Sequence, residues 1–179
     1  MNLPQPASYQ VARLGATIFV RATGLANMKN APMLDLFLQS EIEQDAKLVC
    51  VDLSVCAGMD STFMGVLVGY AQLLGARGGK LVVVNPSEGN LRLLDMLGVS
   101  AVLPVLQRVE RTDLEFVNLP ASPTLGPMQR MELVRRAHHH LVAISDDNRA
   151  KFAAFIQALE ADLAKVQNQG TQGRPQTGH

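Results

Sequence analysis

Charge is scarce in this chain and cancels by sign: sixteen Lys and Arg stand against sixteen Asp and Glu, together 18% of 179 residues. No basic field exists to condense on phosphate backbones or acidic lipid, so nucleic-acid binding is not expected. Neither part of the chain supplies one, since residues 1–110 hold eight basic and nine acidic groups and residues 111–179 hold eight and seven. Uncharged apolar runs of membrane-spanning length are also missing, and the mean hydropathy is only +0.11, so no membrane insertion is expected. Cysteine is limited to Cys50 and Cys56, too few for a disulfide framework. The first ten residues hold two prolines and no apolar core of a signal peptide, which makes a reducing cytoplasm the expected compartment. Histidine does not occur between residues 1 and 137, so a Ser–His–Asp site there would have to borrow its base from the C-terminal part, and a hydrolase is not expected. No glycine loop leads into Lys-Ser/Thr as a phosphate cradle requires; Gly75-Ala-Arg-Gly-Gly79 follows a helical run and reads as its stop.

What is present is apolar and ordered in period. At 47% hydrophobic the chain suits one globular domain of ordinary size with an appendage. From Tyr9 to Val105 strand-like runs alternate with amphipathic runs, an α/β pattern. Val11–Arg13 and Thr17–Thr23 flank Gly15 as a hairpin. Residues 30–45 read as a helix with Pro32 in its first turn. Lys47–Leu53 suits a central strand buried on both faces. Ser61–Ala76, apolar on more than one face, reads as a heavily buried helix, and Lys80–Val84 as the next buried strand. Asn85-Pro86-Ser87 ends it and offers Ser87 as the cap of a short helix through Leu97. Ala101–Val105 reads as a last strand that Pro104 confines to an edge.

Past residue 110 the character changes. Asn118–Pro127 holds three prolines and a glycine and reads as linker. Met131, Val134, Ala137, Leu141 and Ile144, then Phe152, Phe155, Ile156, Leu159, Leu163 and Val166, recur at helical spacing. Ser145-Asp-Asp-Asn148 either caps a second helix or lies on the polar face of one long helix. Such an apolar stripe must be covered by its own domain, by a second copy as a homo-oligomer, or by a partner. The Gly-, Gln- and Thr-rich end from residue 167 reads as disordered.

Few residues suggest chemistry. His138, His139 and His140 point about 100° apart on a helix, cannot converge on one metal, and read as solvated surface. Cys50 and Cys56 lack a second pair for zinc, and Cys50 reads as core. Asp52 and Asp60 stand at a strand end and a helix start, where a carboxylate is ordinarily a cap or loop hydrogen-bonder. No catalytic residue, cofactor or metal is expected. Ser61, opening the buried helix, is either an ordinary capping neighbour of Asp60 or an accessible hydroxyl at a helix start. A phosphate placed there meets free backbone N–H groups and the positive end of the helix dipole.

Val51-Asp-Leu-Ser54, then Met59-Asp60-Ser61-Thr62-Phe63-Met64-Gly65 opening a helix, resembles the heart of the STAS domain of anti-sigma factor antagonists and sulphate-transporter tails. Gly78-Gly79-Lys80 before a Val-rich strand, Asn85-Pro-Ser87, and Leu93-Leu94 with Leu97-Gly98-Val99 resemble the downstream pattern. The resemblance covers about residues 8–110 and implies an α/β STAS fold, a mixed four- to five-stranded sheet with helices packed on it, in a domain over residues 1–110; outside it, composition and periodicity give a linker over 111–127 and an amphipathic helical extension over 128–166. The resemblance also implies a regulatory, non-enzymatic anti-sigma factor antagonist that binds a serine-kinase anti-sigma factor, is switched off by phosphorylation of Ser61, and is restored by a PP2C-type phosphatase. ATP would be the kinase's substrate. Asp60, Ser61, Thr62 and Phe63, with Gly24, Asn27, Asn85 and Ser87 from neighbouring loops, would form the docking surface. Phe63 stands where the family commonly has glycine, and Gly24-Leu25-Ala26-Asn27 lacks the acidic residues common in the first loop. The alternatives are a non-phosphorylated STAS scaffold in a larger assembly, or a small-ligand sensor or enzyme at the strand ends near Asp52, Asp60 and Asn85.

Overall fold

The computed structural model describes residues 7–110, 113–121 and 124–172, with side chains through residue 169. Strands β1 (Ser8–Leu14) and β2 (Thr17–Ala26) form an antiparallel hairpin whose two-residue turn places Gly15 in the left-handed region, at φ 59°. Helix α1 (Ala31–Glu43) follows, with Pro32 in its first turn, then β3 (Leu48–Asp52), β4 (Cys56–Met59) and helix α2 (Ser61–Ala76). Strand β5 (Lys80–Val84), helix α3 (Glu88–Met96), the single turn α4 (Val99–Val102) and the short strands β6 (Val105–Leu106) and β7 (Val117–Asn118) complete the sheet region. Two further helices, α5 (Pro127–Val142) and α6 (Asp146–Gln172), lie beyond it.

The sheet is mixed, in the order β6-β5-β3-β2-β1-β7, with β4 paired to the far half of β2. Strand alternation explains its layering. Val11, Val20, Val51 and Val83 stand side by side across four strands, all buried, and Ile18, Val49 and Leu81 form a neighbouring row. These rows meet Leu34 and Leu38 of α1 and Phe63, Leu67 and Leu74 of α2 in one core. Phe19, Arg21, Cys50 and Asp52 alternate to the other face, where Arg21 pairs with Asp52 at 3.1 Å and lies 4.2 Å over the Phe116 ring.

The mixed sheet with packed helices is as expected, but among the described residues seven strands form against an expectation of four to five. Strand β4 was missed because Cys-Ala-Gly-Met shows neither alternation nor β-branched residues. Strand β7 forms inside the expected linker because Val117 and Asn118 pair with β1 and the Leu119 amide donates to the Tyr9 carbonyl at 2.8 Å. Residues 101–105 are not a strand: the α4 turn takes Ala101 and Val102, and only Val105–Leu106 pair, parallel, with Val83–Val84 at the edge. Pro104 lacks an N–H but still supplies a carbonyl to Val83.

The extension is two helices. Ser145 decides the break, its Oγ accepting from the Asn148 amide at 3.2 Å as the cap of α6. Where disorder was expected from residue 167, α6 instead runs through Gln172, since each added residue of an established helix gains a bond without a new nucleus. Residues 173–179 of the foreseen disordered end lie outside the described residues. Among the described residues no helix is long and apolar enough to cross a membrane.

Candidate switch site at the start of α2

Strand β4 runs on from the line of β3 along β2 and delivers Met59 and Asp60 to the amino end of α2. Asp60 caps that helix, Oδ1 accepting from the Phe63 amide at 2.9 Å. Its other oxygen accepts from the Met28 amide at 2.8 Å, and its own amide donates to the Ala26 carbonyl at 3.0 Å. One carboxylate therefore ties the loop after β2 to the helix start. The loop is set by small local bonds: the Asn27 side chain accepts from the Lys29 amide, and the Asn30 side chain bridges Asn27, Leu25 and Tyr9. Gly24 turns with φ 69° at the register shift between the two halves of β2. Leu25, Met28 and Val55 stand about half exposed around this end, an apolar rim without cover in the described structure.

Ser61 is the first residue of α2 and half-buried. Gly24, Asn27, Asp60 and Ser61 are thus gathered at one end of the domain. Thr62 and Phe63 are corrections: both side chains are buried, at 3% and 0% exposure, and face inward from the first turn. Phe63 stacks nearly parallel on Tyr9, ring centroids 6.3 Å apart, so it is core where a docking contact was foreseen. Asn85 and Ser87 are engaged locally. The Asn85 amide group exchanges hydrogen bonds with the backbone of Val109, and the Ser87 hydroxyl caps α3 by accepting from Asn90. Asn90, buried, then donates to the Cys56 carbonyl and ties α3 to β4. Asp52 and Asn85 line an open cleft of about 300 Å³ with Arg21 and Phe116, and Asp60 is not part of its wall.

The residue that sequence reasoning missed is His138. It lies on the apolar stripe of α5, between Val134 and Leu141, and is 3% exposed where solvated surface was expected. Its Nε2 stands 2.9 Å from the Ser61 hydroxyl, and its Nδ1 stands 2.8 Å from the Val134 carbonyl. A carbonyl only accepts, so Nδ1 carries the hydrogen, and the neutral ring receives the Ser61 hydroxyl on Nε2. Burial pushes the His138 ring below its ordinary pKa, against the opposing pull of the Val134 carbonyl and Asp60. Phe152 and Phe155 of α6 pack on the ring at 5.0 and 4.6 Å between centroids. The available signal was positional: a single polar residue on an otherwise apolar stripe. His139 reaches Glu160 and His140 reaches Gln72, so the three histidines do diverge. Among the described residues no group of three or more metal-ligating side chains is assembled.

The chain belongs to the STAS domain family, whose model matches residues 8–112. The anti-sigma-B factor antagonist of Bacillus subtilis (strain 168) is 35% identical over 95 residues, covering 52% of this chain and 84% of that protein. Two solved structures share the fold: an anti-sigma factor antagonist from Mycobacterium paratuberculosis and the Bacillus cell fate determinant SpoIIAA in its phosphorylated form. The first has TM-score 0.53 at 19% identity, over 59% of this chain and 90% of that one. The second has TM-score 0.50 at 19% identity, over 57% and 93%. Helices α5 and α6 lie outside the family match.

Proposed function

We propose that this chain is an anti-sigma factor antagonist acting by binding, not by catalysis, with its docking surface at the amino end of α2. Unphosphorylated, it binds a serine-kinase anti-sigma factor through the loop of Gly24–Met28 and the Asp60–Ser61 start of α2. Phosphorylated at Ser61, it lets go, and a PP2C-type phosphatase restores it. The observation that carries this reading is Ser61 itself, a hydroxyl on the first residue of a sixteen-residue helix, beside an exposed apolar rim of Leu25, Met28 and Val55. The chemistry is self-consistent. The Ser61 Oγ–P bond forms as the bond from the γ-phosphorus of ATP to its bridging oxygen breaks, ADP leaves, and the hydroxyl proton passes to the kinase's base. The dianion then sits where backbone N–H groups and the helix dipole tolerate it, while the apolar rim becomes costly to desolvate against a partner. The relatives' names as antagonists of anti-sigma factors support the partner class.

Intact-mass spectrometry of the protein from its own cells, before and after phosphatase treatment, tests the modification. One phosphoryl group mapped to Ser61 is the expected result. Capture of the cognate kinase by Ser61→Ala but not by Ser61→Asp tests the switch, and equal capture by both overturns it in favour of a constitutive scaffold.

A further inference from the structure

We propose that α5 and α6 form an intramolecular cover over Ser61, held by the Ser61–His138 contact and by a close helix crossing, which must lift before a kinase or binding partner reaches the serine. This rests on the reading of Ser61 as the switch, and it adds a regulatory element that lies beyond the family's domain.

The crossing is built on two glycines. A Cβ placed on Gly65 would fall 2.2 Å from the Ala137 carbonyl oxygen, and its three nearest atoms all belong to Ala137. One turn later, a Cβ on Gly69 would meet the His140 ring at 2.7 Å. Gly65 thus lets the α5 backbone approach α2 closely, and Gly69 leaves room for the His140 ring one turn on. The α5 residues on that side, Leu133, Val134, Ala137, His138 and Leu141, are buried. The same descent sets His138 on the Ser61 hydroxyl, and the two phenylalanines of α6 close over the ring. Leu133, Ala137 and Leu141 of α5 extend the core that the sheet forms with α1 and α2, so the arm is seated by apolar burial as well as by the Ser61 contact.

Ser61 is held in its unmodified form by this cover. Its hydroxyl hydrogen is committed to Nε2, and the imidazole fills the space through which a phosphoryl donor would approach. After modification a phosphoryl group must occupy the space where the imidazole now stands 2.9 Å from Oγ, so the ring has to give way. Covering and phosphorylation are therefore antagonistic, and by linkage whatever weakens one favours the other. The polar contacts at the margin, Arg136 to Asp35 at 2.9 Å and His140 to Gln72 at 3.0 Å, are partly exposed, with Asp35 and His140 the more buried partners.

Two variants of the whole chain open the cover without touching Ser61: Gly65→Val on the domain side and Ala137→Glu on the arm side, the second leaving every residue of the sheet, α1 and α2 unchanged. Hydrogen exchange and Ser61 phosphate occupancy in the source cells are measured for each beside the unaltered chain. The inference expects the amides of α5 and of residues 61–64 to exchange at least tenfold faster together while the central strands keep their protection. It also expects phosphate occupancy to rise severalfold. Unchanged exchange at residues 61–64 with α5 freed overturns it, as does equal, measurable occupancy in all three chains. Phosphate absent from all three would overturn the Ser61 switch instead. The cover is then judged on exchange alone, supported if residues 61–64 open with α5 and overturned if they do not. Loss of protection in the central strands of Gly65→Val alone reports a misfolded domain, and Ala137→Glu then decides.

Discussion

The two sides of α2 are built differently. Toward the sheet it presents Phe63, Leu67 and Leu74, fully buried against rows of Val and Ile that cross four strands. Toward α5 it presents Gly65 and Gly69, and cohesion comes from a close approach, the apolar residues of α5 and a part-buried hydrogen bond. Large interlocking side chains make the first side cooperative with the whole domain, whereas the second is a close helix-on-helix contact, through which Leu133, Ala137 and Leu141 of α5 extend the core, with polar contacts at its margin. A helix that is apolar all round must be covered all round, and here one cover is the fold itself and the other an appended arm.

Substitutions on the two sides should therefore separate. The largest effect is expected from Phe63→Ala, which empties a site in the core at a cost of about 3–5 kcal/mol and should lower the denaturant midpoint of the whole domain. Loss of α5 protection alone would break the comparison. Leu141→Ala removes a fully buried side chain from the arm and should cost about 2–5 kcal/mol, felt by α5 and α6 while the strands stay protected in hydrogen exchange. Asp60→Ala removes the α2 cap and the tie to Met28, and should cost about 0.5–2 kcal/mol in thermal unfolding.

The smallest effect should come from pH. The His138 ring is pushed below its ordinary value by burial, and so is His140, with Arg136 and His139 adding to the latter. A released arm binds protons that the seated arm refuses. Seating should thus be constant above about pH 6.5 and weaken as pH falls below it, levelling once the seated rings themselves protonate. Asp60 faces His138 from α2 and moderates the effect. Imidazole and phenylalanine signals in NMR titration would follow it, and His138→Gln should leave only the part due to His140. A flat profile in the unaltered chain would show that the ring is not held as described.

Much of the domain was legible. The alternation of Thr17–Ala22, the continuous apolar run of β3, Gly15 in its turn, and Ser87 before α3 each state their element through local chemistry, and the Met59–Gly65 segment marked the helix start. What escaped depended on contacts between distant segments. Cys56–Met59 becomes a strand because β2 is long enough to offer it a partner. Thr62 and Phe63 sit next to Ser61 in sequence but turn inward, because successive helix positions point about 100° apart. His138 lies 77 residues from the serine it meets, and no local pattern measures that separation.

The amino-acid sequence by itself determined the α/β class, the family, the serine that opens α2 and the existence of an amphipathic extension, since these follow from periodicity, turn chemistry and motif within short windows. Only the tertiary structure decided where that extension goes. Periodicity says that a stripe must be buried but not against what, and the answer came from two glycines one turn apart on α2, whose missing side chains let α5 descend onto Ser61.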